Sequence, residues 1–548
     1  LPVRTTMLDA DGNKIATLFE ENRLEVPLDQ ISPYMQKAIV AVEDERFYEH
    51  NGVDIQGLIR AQLENTASGS VQQGASTLTM QYVRNVLVTA ARTPDLVEAA
   101  RERTNARKLQ EIRYAVQLER ELSKDEILNR YLNIVYFGSG AYGVEAASRR
   151  YFGHSAKKMS PAEAALLAGL VQSPVGYDPL INPGAATTRR DEVLTKMEQQ
   201  DFITPEQYEK AVGTPVTDML NPRKVSNGCA ASPYPFYCDY AVKTILNDPN
   251  YGKTKQDRED FLKRGGVVIH TAMDPTTQDA ATNAVMNRIP PTDASGKAAA
   301  IAMVTPETGE VVALAQSRYW GTKGKGNTTY NYAVDLKDGG TTGMQAGSTF
   351  KIFTLAAAME AGISPYEVLD SSDDKTFAAG PWGCTDNYFG PYTVSNSTAS
   401  GQFNMLQGTA FSVNTYFVGL EQMAGLCRTV DIAKRTGMTL ANGGELPEVQ
   451  SFTLGSVEVS PLALATSYAT MANHGVYCKP HAITRIVDEN DENKKVVAKV
   501  EPQCTEAVSR EVADSVTAIL THVVDGGIGG RTGAAMTLGR DATGKTGT

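Results

Sequence analysis

The chain has 548 residues, 42% hydrophobic and 21% charged, with a formal net charge of −11. That length exceeds what one core supports, so two large domains with a connector are expected, and the composition is that of a globular protein. The acidic balance excludes a general nucleic-acid binder, although Arg84 to Arg130 gathers Arg and Lys that could approach an anionic ligand. Ala164 to Val171 is the longest apolar run, well short of the roughly 18–20 residues of a membrane span. Leu1 opens the chain without an initiator Met or a signal peptide, so the start reads as trimmed.

Residues 1–202 read as mainly helical. Ser32-Pro33 is an N-cap followed by Pro at the first helical position, and Met35, Ala38, Ile39 and Val42 recur at helical spacing. Further helices are expected over 106–122, from Lys124 to Tyr131 and over 161–171, the last buried. The apolar segment Val86 to Ala91 is expected as a loop. Residues 203–285 hold PxxxP turns, Asn-Pro and Gly-Gly steps and the first two cysteines, which suits a connecting subdomain. From 286 strands appear: 300–304 and 311–314 flank Pro306-Glu-Thr-Gly309 as a β-hairpin. Helices follow at 348–361, 406–424 and 460–475, giving an α+β domain over 286–548.

The six cysteines, at 229, 238, 384, 427, 478 and 504, form no CxxC pair, and with six histidines a zinc site is not expected. Disulfides in an oxidising compartment fit the even count, Cys229 with Cys238 and Cys478 with Cys504 being the favoured pairs; buried free thiols are the alternative.

Three motifs occur in order in the second domain: Ser348-Thr-Phe-Lys351, Ser412-Val-Asn414 and Lys545-Thr-Gly547. Ser and Lys at i and i+3 share a helix face, so a neutral amine can take the hydroxyl proton. Desolvation and a second cation, Lys545, would keep Lys351 neutral. Gly347 and the helix N-terminus would turn backbone N–H groups toward an oxyanion. Ser155-Ala-Lys-Lys158 also satisfies SxxK and is a coincidence. In this set, with Ala346-Gly-Ser-Thr-Phe-Lys351 and Thr453-Leu-Gly-Ser-Val-Glu-Val-Ser-Pro461, the sequence resembles the penicillin-binding transpeptidases. The resemblance implies Ser348 as acylated nucleophile, Lys351 as its base, Ser412 as proton shuttle and Asn414 as holder of the donor amide. Lys545 and Thr546, beside Gly547, would bind the terminal carboxylate, and the backbone of Ser348 and Thr548 would form the oxyanion hole. Family members continue past this motif with further strands, so the domain is expected to be truncated after Thr548.

In the first domain, Glu43-Asp-Glu-Arg-Phe47 with His50-Asn-Gly52 is followed by Gly74-Ala-Ser-Thr-Leu-Thr-Met-Gln81 and by Arg107-Lys108 with Glu111. Each alone is unremarkable, an RKxxE being commonly a surface pair. Together with 127–133, Phe137-Gly138, Gly143-Val144, Tyr151-Phe-Gly153 and 166–174 they resemble the five motifs of the family 51 glycosyltransferases, which make peptidoglycan strands from lipid II. A lysozyme-like, mainly helical fold is implied. Glu43 would be the general base in an inverting transfer, and Glu111, Lys108 and Arg107 would face the pyrophosphate. Asp44, Phe47, His50, Ser76, Thr77 and Gln81 would shape the substrate site, while Asn133 and Tyr136 are read as structural.

The sequence thus reads as a multidomain, bifunctional class A penicillin-binding protein: a glycosyltransferase domain over 1–202, a connector over 203–285 and a serine transpeptidase with a central antiparallel sheet over 286–548. Lipid II, the nascent glycan, stem peptides, β-lactams, the membrane surface and cell-wall assembly proteins are the expected partners. No cofactor is required; Mg or Mn stimulation of the glycosyltransferase is open. The expected location is the extracytoplasmic face of the bacterial plasma membrane, with a membrane anchor before Leu1. The alternatives are a second domain acting as D,D-carboxypeptidase or as a non-enzymatic β-lactam sensor. A β-lactamase fits least, for want of a placed second Glu base.

Overall fold

The computed structural model describes residues 2–57, 76–91, 104–383, 387–488, 491 and 493–547. The chain folds as two compact units, one comprising 1–5, 17–227 and 260–266, the other 6–16, 228–259 and 267–548. The segment 203–285 forms no body of its own: 203–227 join the first unit, and 228–259 and 267–285 the second.

The first unit is helical. Helix α1 (Pro33–Glu43) starts where Ser32 accepts the Tyr34 N–H, with Pro at the first helical position. Thr77 caps α2 (Leu78–Ala90) and Thr104 caps α3 (Asn105–Glu121). A Ser123–Glu126 capping box opens α4 (Lys124–Ile134). The segment from Val86, expected as a loop, is the last part of α2: its apolar residues continue the helical turn begun by Leu78 and Val83. α5 (Val144–Tyr151) follows, then α6 (Pro161–Leu170), apolar on every side and central to the core. α1 and α7 (Pro183–Gln199) pack against α6, and Met35, Ile39, Phe137, Leu166, Leu167 and Leu194 are fully buried among them. Ser155, the coincidental SxxK serine, caps a short 3-10 turn over Ala156–Lys158.

The second unit is α+β. Its five-stranded sheet runs β2 (Lys14–Leu18), β1 (Thr5–Leu8), β3 (Val267–Thr271), β6 (Ile483–Asp488), β7 (Val496–Lys499). β1 and β3 are parallel, Met7 facing Ile269, whereas β3–β6 and β6–β7 are antiparallel. This sheet is mixed, because β1 comes from the start of the chain and pairs with β3 in the same direction; β1, β2 and β3 lie outside 286–548, within which β6 and β7 are antiparallel. The hairpin β4 (Ala300–Val304) with β5 (Val311–Gln316) is a separate antiparallel pair. Among the helices are α8 (Pro235–Asn247), α9 (Pro275–Arg288), α10 (Lys351–Glu360), α11 (Met405–Ala410), α12 (Asn414–Ala424), α13 (Leu426–Arg435), α14 (Pro461–Ala472) and α15 (Arg510–Val524). The helix expected over 406–424 is two helices, α11 and α12, broken at Ser412, whose φ is +57°. Three short antiparallel pairs form a ribbon over 369–403. Disulfides join Cys229 to Cys238 and Cys478 to Cys504, the latter across directly opposed strand positions.

Candidate active sites

In the first unit, one face of α2 serves two carboxylates. Gln81 and Arg84 lie one turn apart, as i and i+3 residues on a helix do. Gln81 Nε2 donates to Glu43 Oε2 at 2.8 Å, and Gln81 Oε1 accepts from the buried Tyr131 hydroxyl at 3.0 Å. Arg84 grips Glu111 with both ends of its fork, at 2.8 and 3.0 Å, and Arg107 donates to the same carboxylate. Glu111 is fully buried and saturated by guanidinium groups, while Glu43 has a neutral amide as its hydrogen-bond donor. Burial accordingly raises the Glu43 carboxyl above its ordinary range. The Gln81 hydrogen bond and the charges of Arg189 and Lys196 oppose that shift, and Asp44 adds to it.

Asp44, the C-cap of α1, is buried and accepts from the Leu78 N–H at 2.9 Å and contacts His50 Nε2 at 2.9 Å, tying the first motif to the start of α2. Thr77 Oγ1 donates to the Gly52 carbonyl at 2.8 Å. Phe47 is buried under the Lys124 ammonium, 4.6 Å from its ring centre, and Lys124 pairs with Glu119 at 2.6 Å. Lys108 donates to Ser76, and burial lowers its pKa. Asn133 bridges both backbone groups of Val26, and the Tyr136 hydroxyl accepts from Gly140 N–H, so both serve the scaffold. Sequence reasoning named Arg84 only as the start of an Arg/Lys cluster and passed over Tyr131, Arg189 and Lys196 as site residues. Arg84 was within reach as the i+3 neighbour of Gln81, and Arg189 with Lys196 as an i,i+7 pair on α7.

In the second unit, Ser348 lies in a 3-10 turn over Gly347–Phe350 that runs into α10, with the Lys351 N–H bonded to the Ser348 carbonyl. Lys351, fully buried, donates to the Ser412 carbonyl at 2.8 Å, Ser412 Oγ at 3.2 Å and Asn414 Oδ1 at 2.8 Å. Lys545 donates to the same Ser412 Oγ at 2.6 Å. The three motifs thus converge on Ser412. Burial pushes the Lys351 amine far below the ordinary lysine range, with the Lys545 charge adding to the effect, and burial brings Lys545 down to about 7. The Thr546 hydroxyl donates to Thr532 Oγ1 at 2.8 Å. A side chain on Gly547 would meet Ala346 O at 3.0 Å, so the third motif runs directly along the first. Residues 541–547 make that approach as irregular backbone, not as a strand. Thr548 is outside the described residues.

The segment after Ser451 closes the other side. The Gly347 N–H donates to the Gly455 carbonyl at 3.1 Å. A Cβ on Gly455 would fall 2.1 Å from the Gly347 oxygen, and its φ of +70° also favours glycine. Tyr468 OH donates to the Thr349 carbonyl at 2.9 Å.

Two helix-borne carboxylates in one unit and, in the other, a Lys351–Ser412–Lys545 chain beginning one helical turn from Ser348 define a protein that joins a glycosyltransferase to a serine acyltransferase. Residues 11–198 match the Transglycosylase family model, and residues 299–548 match the model for the penicillin-binding protein transpeptidase domain. The whole chain aligns with penicillin-binding protein 2D of Bacillus subtilis at 31% identity, covering 74% of that protein. It aligns likewise with penicillin-binding protein 1A of Aquifex aeolicus at 30% identity, covering 79%. Penicillin-binding protein 1A from Haemophilus influenzae shares the fold over the whole chain and 84% of its own, with a TM-score of 0.63 at 18% identity.

The chain belongs to the class A, bifunctional penicillin-binding proteins. It is a peptidoglycan glycosyltransferase and transpeptidase and a target of β-lactams. Its relatives are enzymes of the cell envelope; among the described residues no helix is long and apolar enough to cross a membrane.

Proposed function

We propose that Glu43 and Ser348 carry the two reactions, with lipid II as the glycosyl donor and stem peptides as the acyl donors. In the first unit the acceptor sugar's 4-hydroxyl oxygen attacks the anomeric carbon of the lipid-linked donor, and its proton passes to Glu43. The bond from that carbon to the polyprenyl pyrophosphate breaks with inversion. Arg107 and Lys108 offset the leaving group's charge, with Glu111 ordering the guanidinium groups around it. Glu111 is taken up by Arg84 and Arg107, so these residues do not suit a divalent cation. Stimulation by Mg or Mn would act on the pyrophosphate itself, and no step here runs through a metal.

In the second unit Ser348 Oγ attacks the carbonyl carbon of the terminal D-alanyl peptide bond, and Lys351 takes its proton. The terminal D-alanine leaves with a proton relayed through Ser412, and an amine of a second stem peptide then releases the acyl group from Ser348. Asn414 orients the donor amide, while Lys545 and Thr546 bind the carboxylate that penicillin also presents. The observation that carries this reading is the Lys351–Ser412–Lys545 chain: two buried lysines on one hydroxyl, with no carboxylate among their hydrogen-bond partners in the described residues. An extracytoplasmic site at the membrane surface with an anchor, and association with cell-wall assembly proteins, complete the proposal. Intact-mass spectrometry after incubation with benzylpenicillin tests it. One added drug mass is expected for the wild type and none for Ser348→Ala; an adduct on the variant would overturn the nucleophile.

A further inference from the structure

The helix that presents Asn414 begins without a cap of its own. Its N-cap residue is Val413, which offers no side-chain acceptor, and the first turn of any helix leaves backbone N–H groups unpaired. The missing cap comes from the ribbon over 369–403. Asn396 Oδ1 accepts the Thr415 N–H at 3.0 Å, and Asn396 Nδ2 donates to Thr415 Oγ1 at 2.9 Å. Asn396 is itself pinned: its N–H donates to Asp373 at 2.7 Å, and its Nδ2 also reaches the Ser371 carbonyl at 3.0 Å.

The neighbouring residue acts on Asn414 directly. The Ser395 carbonyl accepts from Asn414 Nδ2 at 3.1 Å. Once the amino end of that amide is engaged, the carbonyl end must face the other way, and it does so toward Lys351 Nζ at 2.8 Å. Just upstream, Ser412 holds a positive φ, a conformation that persists only where the surroundings impose it. Lys351 and Lys545 fix Ser412 from one side, and the Asn396 cap fixes the chain from the other.

We propose that Asn396 is a positioning residue for acyl transfer: by capping α12 from the ribbon, beside the Ser395 carbonyl, it sets the amide of Asn414 and the strained turn at Ser412 against Lys351. The proposal rests on the roles given above to Ser348, Lys351 and Asn414. Its function is geometric, and small displacements of catalytic groups are expensive in rate even when the fold survives.

Acylation by a fluorescent penicillin, resolved into initial affinity and the first-order acylation step, is the test, with hydrogen exchange read over 412–418. Asn396→Ala is expected to slow the acylation step about 10- to 100-fold. Initial affinity should change by less than about threefold, exchange over 412–418 should quicken, glycan polymerisation should hold, and the thermal midpoint should fall by no more than about 2–4 °C. Asn396→Asp keeps the acceptor for the Thr415 N–H and puts a negative charge at the helix's positive end but gives up the Nδ2 bond to the Ser371 carbonyl, so it should recover to within about tenfold of the wild type. An Asn396→Ala protein that acylates normally, or whose exchange over 412–418 is unchanged, overturns the proposal. If Asn396→Ala does not fold, Asn396→Asp decides: a loss beyond about tenfold overturns the cap, and near-normal acylation with normal exchange supports it. Ser348→Ala runs alongside. A wild type that takes no penicillin overturns the site assignment and this proposal with it. A wild type acylated at Ser348 beside an unimpaired Asn396→Ala overturns this proposal alone.

Discussion

The two sites reach the same chemical end from opposite sides of the pH scale. In the helical unit a carboxylate is buried beside a neutral amide, and desolvation raises its proton affinity. In the α+β unit an amine is buried among hydroxyl, carbonyl and amide oxygens, and desolvation lowers its proton affinity. Each becomes a base nearer neutrality than its side chain would be in water. The groups around each are arranged to leave it so. In the first unit Arg84 and Arg107 bond Glu111, leaving Glu43 with Gln81 as its hydrogen-bond donor. In the second, the second lysine repels a proton on the first. A buried charge that is fully paired supports structure, and one left with neutral partners is available for chemistry.

The largest expected effect separates the two halves. Glu43→Gln should reduce glycan polymerisation by about 10²- to 10⁴-fold, the contribution of a positioned general base, with benzylpenicillin acylation of Ser348 intact. Loss of both would mean that the substitution had unfolded the chain and that the comparison says nothing about bases. A lipid II polymerisation assay beside the mass measurement reads both at once.

A smaller effect tests the lysine beside the other base. Lys545 titrates at about 7, so its charge is present below that pH and lost above it. The second-order constant for penicillin acylation, which reports the free enzyme, should fall about tenfold between pH 7 and 8.5 as carboxylate recognition is lost. Lys545→Arg stays charged throughout that range, so its profile should be flat there, whatever its absolute rate. A basic limb that persists in the variant would assign the titration to another group.

How much of this was legible in the sequence differs between the units for a physical reason. Motif residues that lie close along the chain and share a helix face, such as Ser348 with Lys351 or Arg107 with Glu111, could be paired from spacing alone. So could the caps, since Ser32-Pro33 and Ser123 through Glu126 carry their acceptors in the local sequence. Tertiary partners could not. Arg84 reaches Glu111 from another helix, Asn396 reaches Thr415 from the ribbon, and nothing in the spacing of either pair announces the contact. The break at Ser412 was equally hidden, because its positive φ is imposed by Lys351 and Lys545 rather than chosen by a glycine. The pairing of β1 with β3 was hidden for the same reason, since some 260 residues separate the two strands.

The smallest expected effect comes from altering the environment of a base while leaving the base itself in place. Gln81→Leu removes the hydrogen bond that favours the charged form of Glu43. The carboxyl pKa should therefore rise further, and the acid limb of polymerisation should move upward by about one pH unit, the worth of one hydrogen bond to a charged group. The loss of rate should accordingly be greater at pH 6 than at pH 8. The substitution also strands the Tyr131 hydroxyl, which donates to Gln81, so Tyr131→Phe belongs beside it. In that variant Gln81 keeps its bond to Glu43, and the limb should stay near its wild-type position. If the limb moved downward in Gln81→Leu, the amide would be holding Glu43 in its protonated form. The first unit would then be storing an acid rather than preparing a base.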